Sequence, residues 1–156
     1  MNVKRIDGGG IDEWDAEAGF ESEAIADAVS VRRAVFVEEQ GVPEAKELDG
    51  RDGEAIHFVA YDDSEPVGTA RLRAADGADG TAKAERVAVR AERRDQGIGR
   101  LLMRTVEDAA RTEGYETVVL HAQLPVVEFY ERLDYGTVGE RFEEAGIPHR
   151  KMKKPL

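Results

Sequence analysis

Apolar and polar positions follow two different periods along this chain, and the switches between them mark the elements. From Ser22 onward Ile25, Ala28, Val29, Arg32, Val35 and Phe36 recur at helical spacing. Ser22 stands where a helix N-cap belongs, and the period runs out at Gln40-Gly41, just before Val42-Pro43. Residues 56–61 and 67–73 have strand character, joined by the turn Asp62-Asp63-Ser64-Glu65, with Val67, Thr69, Arg71 and Arg73 on one side. After a turn over 76–80, residues 83–90 alternate again. Connections this short exclude crossovers, so these strands are predicted to form an antiparallel meander. Ile98, Leu101, Leu102, Val106, Ala109 and Ala110 share one helical face, and Gly114 follows as a C-terminal cap. Residues 117–121 read as a buried strand. A helix leads into it, so it is expected to lie parallel to 83–90.

The ends of the chain are patterned more weakly. Residues 1–6 can form a short strand before Gly8-Gly9-Gly10 breaks it. The acidic stretch around Trp14 reads as loop with a helical turn. Residues 43–49 hold a short turn of helix, and 48–53 read as loop. Pro125 opens a helix over 126–133, and a hairpin of 135–141 with 149–153 closes the chain.

One loop stands out. Arg94-Asp95-Gln96-Gly97-Ile98-Gly99-Arg100 joins a strand to a helix, and Gly97 and Gly99 free its backbone for conformations that side chains resist. The first N–H groups of a helix lack internal partners and sit at the positive end of its dipole, which makes a natural phosphate site. Residues 86–104 hold six arginines (86, 90, 93, 94, 100 and 104) against Glu92 and Asp95, a local charge of +4 in a chain of −11. Such a basic island implies an anionic ligand. A glycine turn opening a solvated, arginine-rich helix is the plainer account, and spacing alone does not separate the two. The loop lacks the Lys-Ser/Thr of a P-loop and the third glycine of a dinucleotide fingerprint.

Composition narrows the class. The 156 residues suit one domain, 1–156, and 41% apolar content excludes global disorder despite a mean hydropathy of −0.51. No apolar run reaches membrane-spanning length and no leader pattern opens the chain, so a cytoplasmic protein without membrane attachment is expected. Cysteine is absent, which excludes disulfides and thiolate chemistry, and the three histidines are too scattered for a metal site. A pI near 4.8 argues against nucleic-acid binding.

Read together, these residues resemble the GNAT family of acetyl-CoA-dependent N-acetyltransferases. The family's loop pattern, Gln/Arg-x-x-Gly-x-Gly/Ala, is matched by Arg94-x-x-Gly97-x-Gly99. The run Val127-Glu128-Phe129-Tyr130-Glu131-Arg132-Leu133-Asp134-Tyr135 looks like its Phe-Tyr-x-x-x-Gly-Phe segment, with Asp134 where glycine is usual. Three further runs look like the ElaA-like subgroup: Val35-Phe36-Val37-Glu38-Glu39-Gln40-Gly41-Val42-Pro43, Ala55-Ile56-His57-Phe58-Val59-Ala60-Tyr61 and Glu144-Ala145-Gly146-Ile147-Pro148-His149. The resemblance runs from residue 25 to the C-terminus.

That resemblance implies an α+β fold whose splayed, mostly antiparallel central sheet of about seven strands carries helices on both faces. It implies acetyl-CoA as co-substrate, without a metal. Main-chain groups of Val87, Ala88 and Val89 would hold the pantetheine arm like an added strand. Amides from Asp95, Gln96, Gly97, Ile98, Gly99 and Arg100 would hold the pyrophosphate, with Arg94 as counter-charge and Phe129 among the cofactor-binding residues. An N–H near Val87 or Ala88 would stabilise the oxyanion. By the family's pattern Tyr130 is the acid that protonates the leaving thiolate. Glu85 and His121 are candidates for the base, with water as the alternative, and His57 is read as structural. Glu38, Glu39 and His149 would border the acceptor, a small-molecule or protein amine attacked directly in a ternary complex. A non-catalytic acyl-CoA-binding module and a small interaction protein are the rival readings, and a homodimer stays open.

Acidic, lysine-poor, cysteine-free composition also suits a halophilic source. The expected outcome is a melting temperature that rises with molar salt; stability indifferent to salt would count against it.

Overall fold

The computed structural model describes residues 1–8 and 23–156; the readings made around Trp14 and at Ser22 lie outside them. In chain order the elements are β1 (Asn2–Asp7), α1 (Glu23–Arg32), a π-helical segment (Arg33–Glu39), α2 (Glu44–Glu47), β2 (Ile56–Asp62), β3 (Glu65–Ala74), β4 (Thr81–Val89), α3 (Ile98–Thr112), β5 (Thr117–Gln123), α4 (Val127–Glu131), β6 (Gly136–Glu144) and β7 (Ile147–Pro155). The strands form one sheet in the order β1-β2-β3-β4-β5-β7-β6. Every neighbouring pair is antiparallel except β4 and β5, which α3 connects in parallel.

The alternation along β3 sorts the two faces. Ala70 and Leu72 belong to the core that includes Phe58, Leu102, Met103 and Val106, so α3 covers this face. Gly68 permits the contact at the start of the helix, because a Cβ there would lie 2.9 Å from Leu102 Cδ1 and 3.0 Å from Ile98 Cγ2. On the other face Ala88 of β4 packs against Val31 and Val35. Arg32, which shares the apolar period of α1, is itself buried there.

Arg32 is part of a buried lattice of charge. Its Nε lies 2.5 Å from Glu47 Oε1 and its Nη1 2.7 Å from Asp52 Oδ1. Arg71, fully buried on β3, reaches Asp52 at 2.9 Å, Asp49 at 2.8 Å and Glu85 at 3.1 Å. These contacts explain a departure from the sequence reading: the stretch after α2 is not plain loop, and Asp52–Glu54 coils into a 3-10 turn where two guanidiniums hold Asp52. The first long helix also departs, since it widens to π geometry past Arg32, with Gln40 N–H donating to Val35 O at 3.1 Å. The helix behind Pro125 is shorter than read, a 3-10 turn over Leu124–Val126 followed by α4. The closing hairpin is longer than read, because Phe142, Glu143 and Glu144 also pair with β7.

Burial alone would raise the Asp52 carboxyl, but Arg32 and Arg71 outweigh it and hold it below the ordinary aspartate value. Glu85 is likewise lowered by Arg71, Arg73 and Lys83 against the cost of burial. Carboxyls depressed in the fold stabilise it above their unfolded values and lose that contribution as pH falls. Stability is therefore expected to hold near neutrality and to decline below about pH 4, where unfolded carboxylates begin to bind protons. Asp52→Asn leaves two buried guanidiniums short of a counter-charge and should cost about 3–5 kcal/mol in denaturant unfolding. A cost under about 1 kcal/mol, the range of exposed pairs, would remove the lattice from the account of stability.

Candidate active site

β4 and β5 share four residue pairs, from Thr81↔Thr117 to Ala84↔Leu120. Both strands continue, β4 to Val89 along β3 and β5 to Gln123 along β7. Past Ala84 and Leu120 their facing edges join no ladder, and the sheet is split. A bulge in β4 sits beside the split. Arg86 has φ +54, and the β3–β4 register slips between Thr69 and Arg71. Left-handed backbone is uncommon for such a residue and persists where surroundings hold it. Here the Arg86 guanidinium donates to Glu47 O at 3.0 Å and to Asp49 Oδ2 at 3.3 Å.

The loop at the end of the split is open. Arg94, Asp95, Gln96 and Gly97 are exposed, while Ile98 anchors the helix in the core. Asp95 and Gly97 have φ +63 and +81, the left-handed values that the glycine spacing anticipates. Leu101 N–H donates to Gly97 O at 3.1 Å and begins the α3 ladder, so Ile98, Gly99 and Arg100 hold their amides outside it. Phe129 closes the other side: a Cβ on Gly99 would lie 3.1 Å from its ring.

The basic island is mostly spent within the fold. Arg86 is bound as above, Arg90 donates to Pro66 O and Ser30 Oγ at 2.8 Å each, and Arg93 pairs with Asp62. Arg94 forms a two-pronged pair with Glu39 at 2.7 and 2.8 Å. Arg100 and Arg104 are exposed and make no ion pair among the described residues. The net local charge therefore overstated the free positive charge at this site.

The remaining site residues fall in distinct settings. Tyr130 is buried against Phe129 and Tyr135, and burial pushes its phenol above the ordinary value. Glu85 faces Arg71, Arg73 and Lys83 instead of open solvent. Val87 and Val89 are half-buried. His121 is the first β5 residue beyond the paired segment. Glu38 is exposed on the π-helical segment, and His149 is buried on β7. Residues to which the sequence reading gave no role of their own complete the surroundings. Gln40 and Gln123 exchange amide hydrogen bonds of 3.3 and 2.8 Å, tying the π-helical segment to the end of β5. Glu144 lies 3.2 Å from His121. Gln40 and Glu144 lie in the runs that look ElaA-like, but nothing local marks a role for them or for Gln123, since an isolated glutamine or hairpin glutamate is ordinary surface chemistry.

With this geometry the comparisons with known proteins agree. The family model of the acetyltransferase (GNAT) domain matches residues 19–156. YjcF of Bacillus subtilis, an uncharacterized N-acetyltransferase, is 41% identical over 133 residues, covering 85% of this chain and 93% of YjcF. ElaA of Escherichia coli is 33% identical, covering 82% of this chain and 85% of ElaA. The crystal structure of an acyl-CoA N-acyltransferase from Pseudomonas aeruginosa superposes with a TM-score of 0.79 at 28% identity, covering 98% of each chain. This chain therefore belongs to the GNAT acetyltransferase family, with an ElaA-like relationship.

Asp134, the departure from the family's glycine, has φ +73 in the turn after α4, where Tyr135 N–H donates to Tyr130 O at 3.1 Å. Left-handed aspartate is tolerated at a cost that glycine avoids. Asp134→Gly should raise stability by about 0.5–1 kcal/mol without loss of activity, read by thermal melting; a lower melting temperature would contradict the strain.

Proposed function

We propose that this protein transfers acetyl from acetyl-CoA to a primary amine by direct attack within a ternary complex. The observation that carries this reading is the split between β4 and β5, with the exposed start of α3 at its end. An unpaired strand edge accepts an extended ligand as an added strand, so the main chain of Val87, Ala88 and Val89 suits a pantetheine arm. The amides from Asp95 to Arg100 suit a pyrophosphate, and Arg94 would exchange Glu39 for it. When bound, acetyl-CoA supplies an activated thioester carbonyl.

The chain's own groups then divide the proton work. Glu85 is unsuited to take a proton, because three cations favour its ionised form. His121 stands at the split without a guanidinium partner, and we assign the proton acceptor to it. Tyr130 holds a proton at its Oη, and burial keeps the phenol neutral. The Val87 N–H, beside the Arg86 bulge, would meet the carbonyl oxygen. Glu38, Glu39 and His149 would border the amine.

Calorimetric titration with acetyl-CoA, followed by thiol release over an amine panel, tests the reading. Tyr130→Phe should lower turnover by about 100-fold with little change in acetyl-CoA affinity. Binding without turnover on any amine would favour an acyl-CoA-binding module, and absence of binding would overturn both.

A further inference from the structure

Side chains from the last three strands meet at the mouth of the split. His121 Nδ1 lies 3.2 Å from Glu144 Oε1. The other carboxylate oxygen, Oε2, lies 3.7 Å from His149 Nε2. His149 Nδ1 donates to Ile147 O at 2.6 Å. The Phe142 ring stands edge-on to His121 at 4.9 Å and stacked on His149 at 5.8 Å. The hairpin turn delivers Glu144 to this place. Ala145 and Gly146 have φ +53 and +74, a tight turn whose twist suits paired strands, so Glu144 pairs with Ile147.

An ionised carboxylate only accepts hydrogen bonds. The contact with Glu144 therefore requires a proton on His121 Nδ1, which in the neutral ring leaves Nε2 as the lone pair. We infer that Glu144 is a positioning residue for acetyl transfer, holding His121 in the tautomer that takes the amine's proton at Nε2 and then stabilising the imidazolium. The inference rests on the reading of His121 proposed above. In that step an ammonium N–H bond breaks and an Nε2–H bond forms. The freed lone pair forms the new C–N bond, the C–S bond breaks, and the thiolate takes the Tyr130 Oη proton. The new amide gives up its remaining proton to water, and solvent exchange returns His121 and Tyr130 to their starting states.

The charges around His121 support this assignment. On β6 it meets Glu144; on β7 its ladder partner is Lys151, with His149 two register positions on; on β4 Lys83 lies in the paired segment and also acts on Glu144, and Glu85 is the first residue past that segment. Glu85 is already engaged by Arg71, Arg73 and Lys83. Glu144 has only the two imidazoles as ion-pair partners among the described residues. Its carboxyl is held below the ordinary glutamate value, first by the His121 hydrogen bond.

The test is Glu144→Gln in the full chain, with Tm confirming that it folds. In ¹⁵N-labelled protein, long-range imidazole correlations should give His121 as the Nδ1–H tautomer, assigned by its loss in His121→Asn. In E144Q the proton should move wholly or partly to Nε2, because an amide can donate. With an amine acceptor from the panel, kcat should fall by about 10- to 100-fold while KM for acetyl-CoA stays unchanged. The acidic limb of the rate profile should move to lower pH, since an imidazolium without its carboxylate is less stable. Wild-type turnover in H121N would remove His121 from the reaction and this role with it. Impaired H121N beside an E144Q with wild-type tautomer and turnover would overturn the role of Glu144 alone.

Discussion

The structure depends on two parallel strands that stop pairing before they end. Backbone N–H and C=O groups are obligatory hydrogen-bonding groups, and a sheet that leaves them unpaired exposes a template for another strand. Here the unpaired edges are held apart from several sides. The Arg86 bulge turns β4, Ile98 pins the start of α3 beneath it, and the Gln40–Gln123 pair spans from the π-helical segment to β5. The gap is a built feature, and its far end meets the free amides of a helix start. A ligand that is extended at one end and anionic at the other fits both.

The second constraint is charge. Four arginines, Arg32, Arg71, Arg73 and Arg86, share Glu47, Asp49, Asp52 and Glu85 on the α1 face of the sheet. Planar guanidiniums can serve several carboxylates at once, a geometry that lysine lacks. This lattice holds the segment from α2 to the 3-10 turn onto the sheet and also holds Arg86 in its bulge. The same contacts that shape the split therefore surround Glu85 with cations. A carboxylate on the right strand was a reasonable candidate by sequence, but two of its three cationic partners, Arg71 and Arg73, lie on β3, and the sequence of β4 alone reveals only Lys83.

The hairpin β6–β7 makes the opposite contribution. It lies at the edge of the sheet, yet it brings Glu144 and Phe142 against His121, with His149 against both of them. Membership of the GNAT family accounts for the order of strands and for the loop before α3. The surroundings of His121 come from the β6–β7 hairpin.

Local pattern was enough to determine the period of each principal element, the meander, the parallel placement of β5 and the loop Arg94–Arg100. These depend on neighbours in sequence: alternation, helical spacing, glycine freedom and connection length. The motif order was enough to identify the family. Tertiary structure alone decided which charges are free. Arg90, Arg93 and Arg94 looked like one basic surface until Ser30, Asp62 and Glu39 were brought against them. It also decided that His121 has a carboxylate partner, 23 residues away in sequence. Long-range partners are set by strand pairing, and no period along the chain records which side chains two distant strands place face to face.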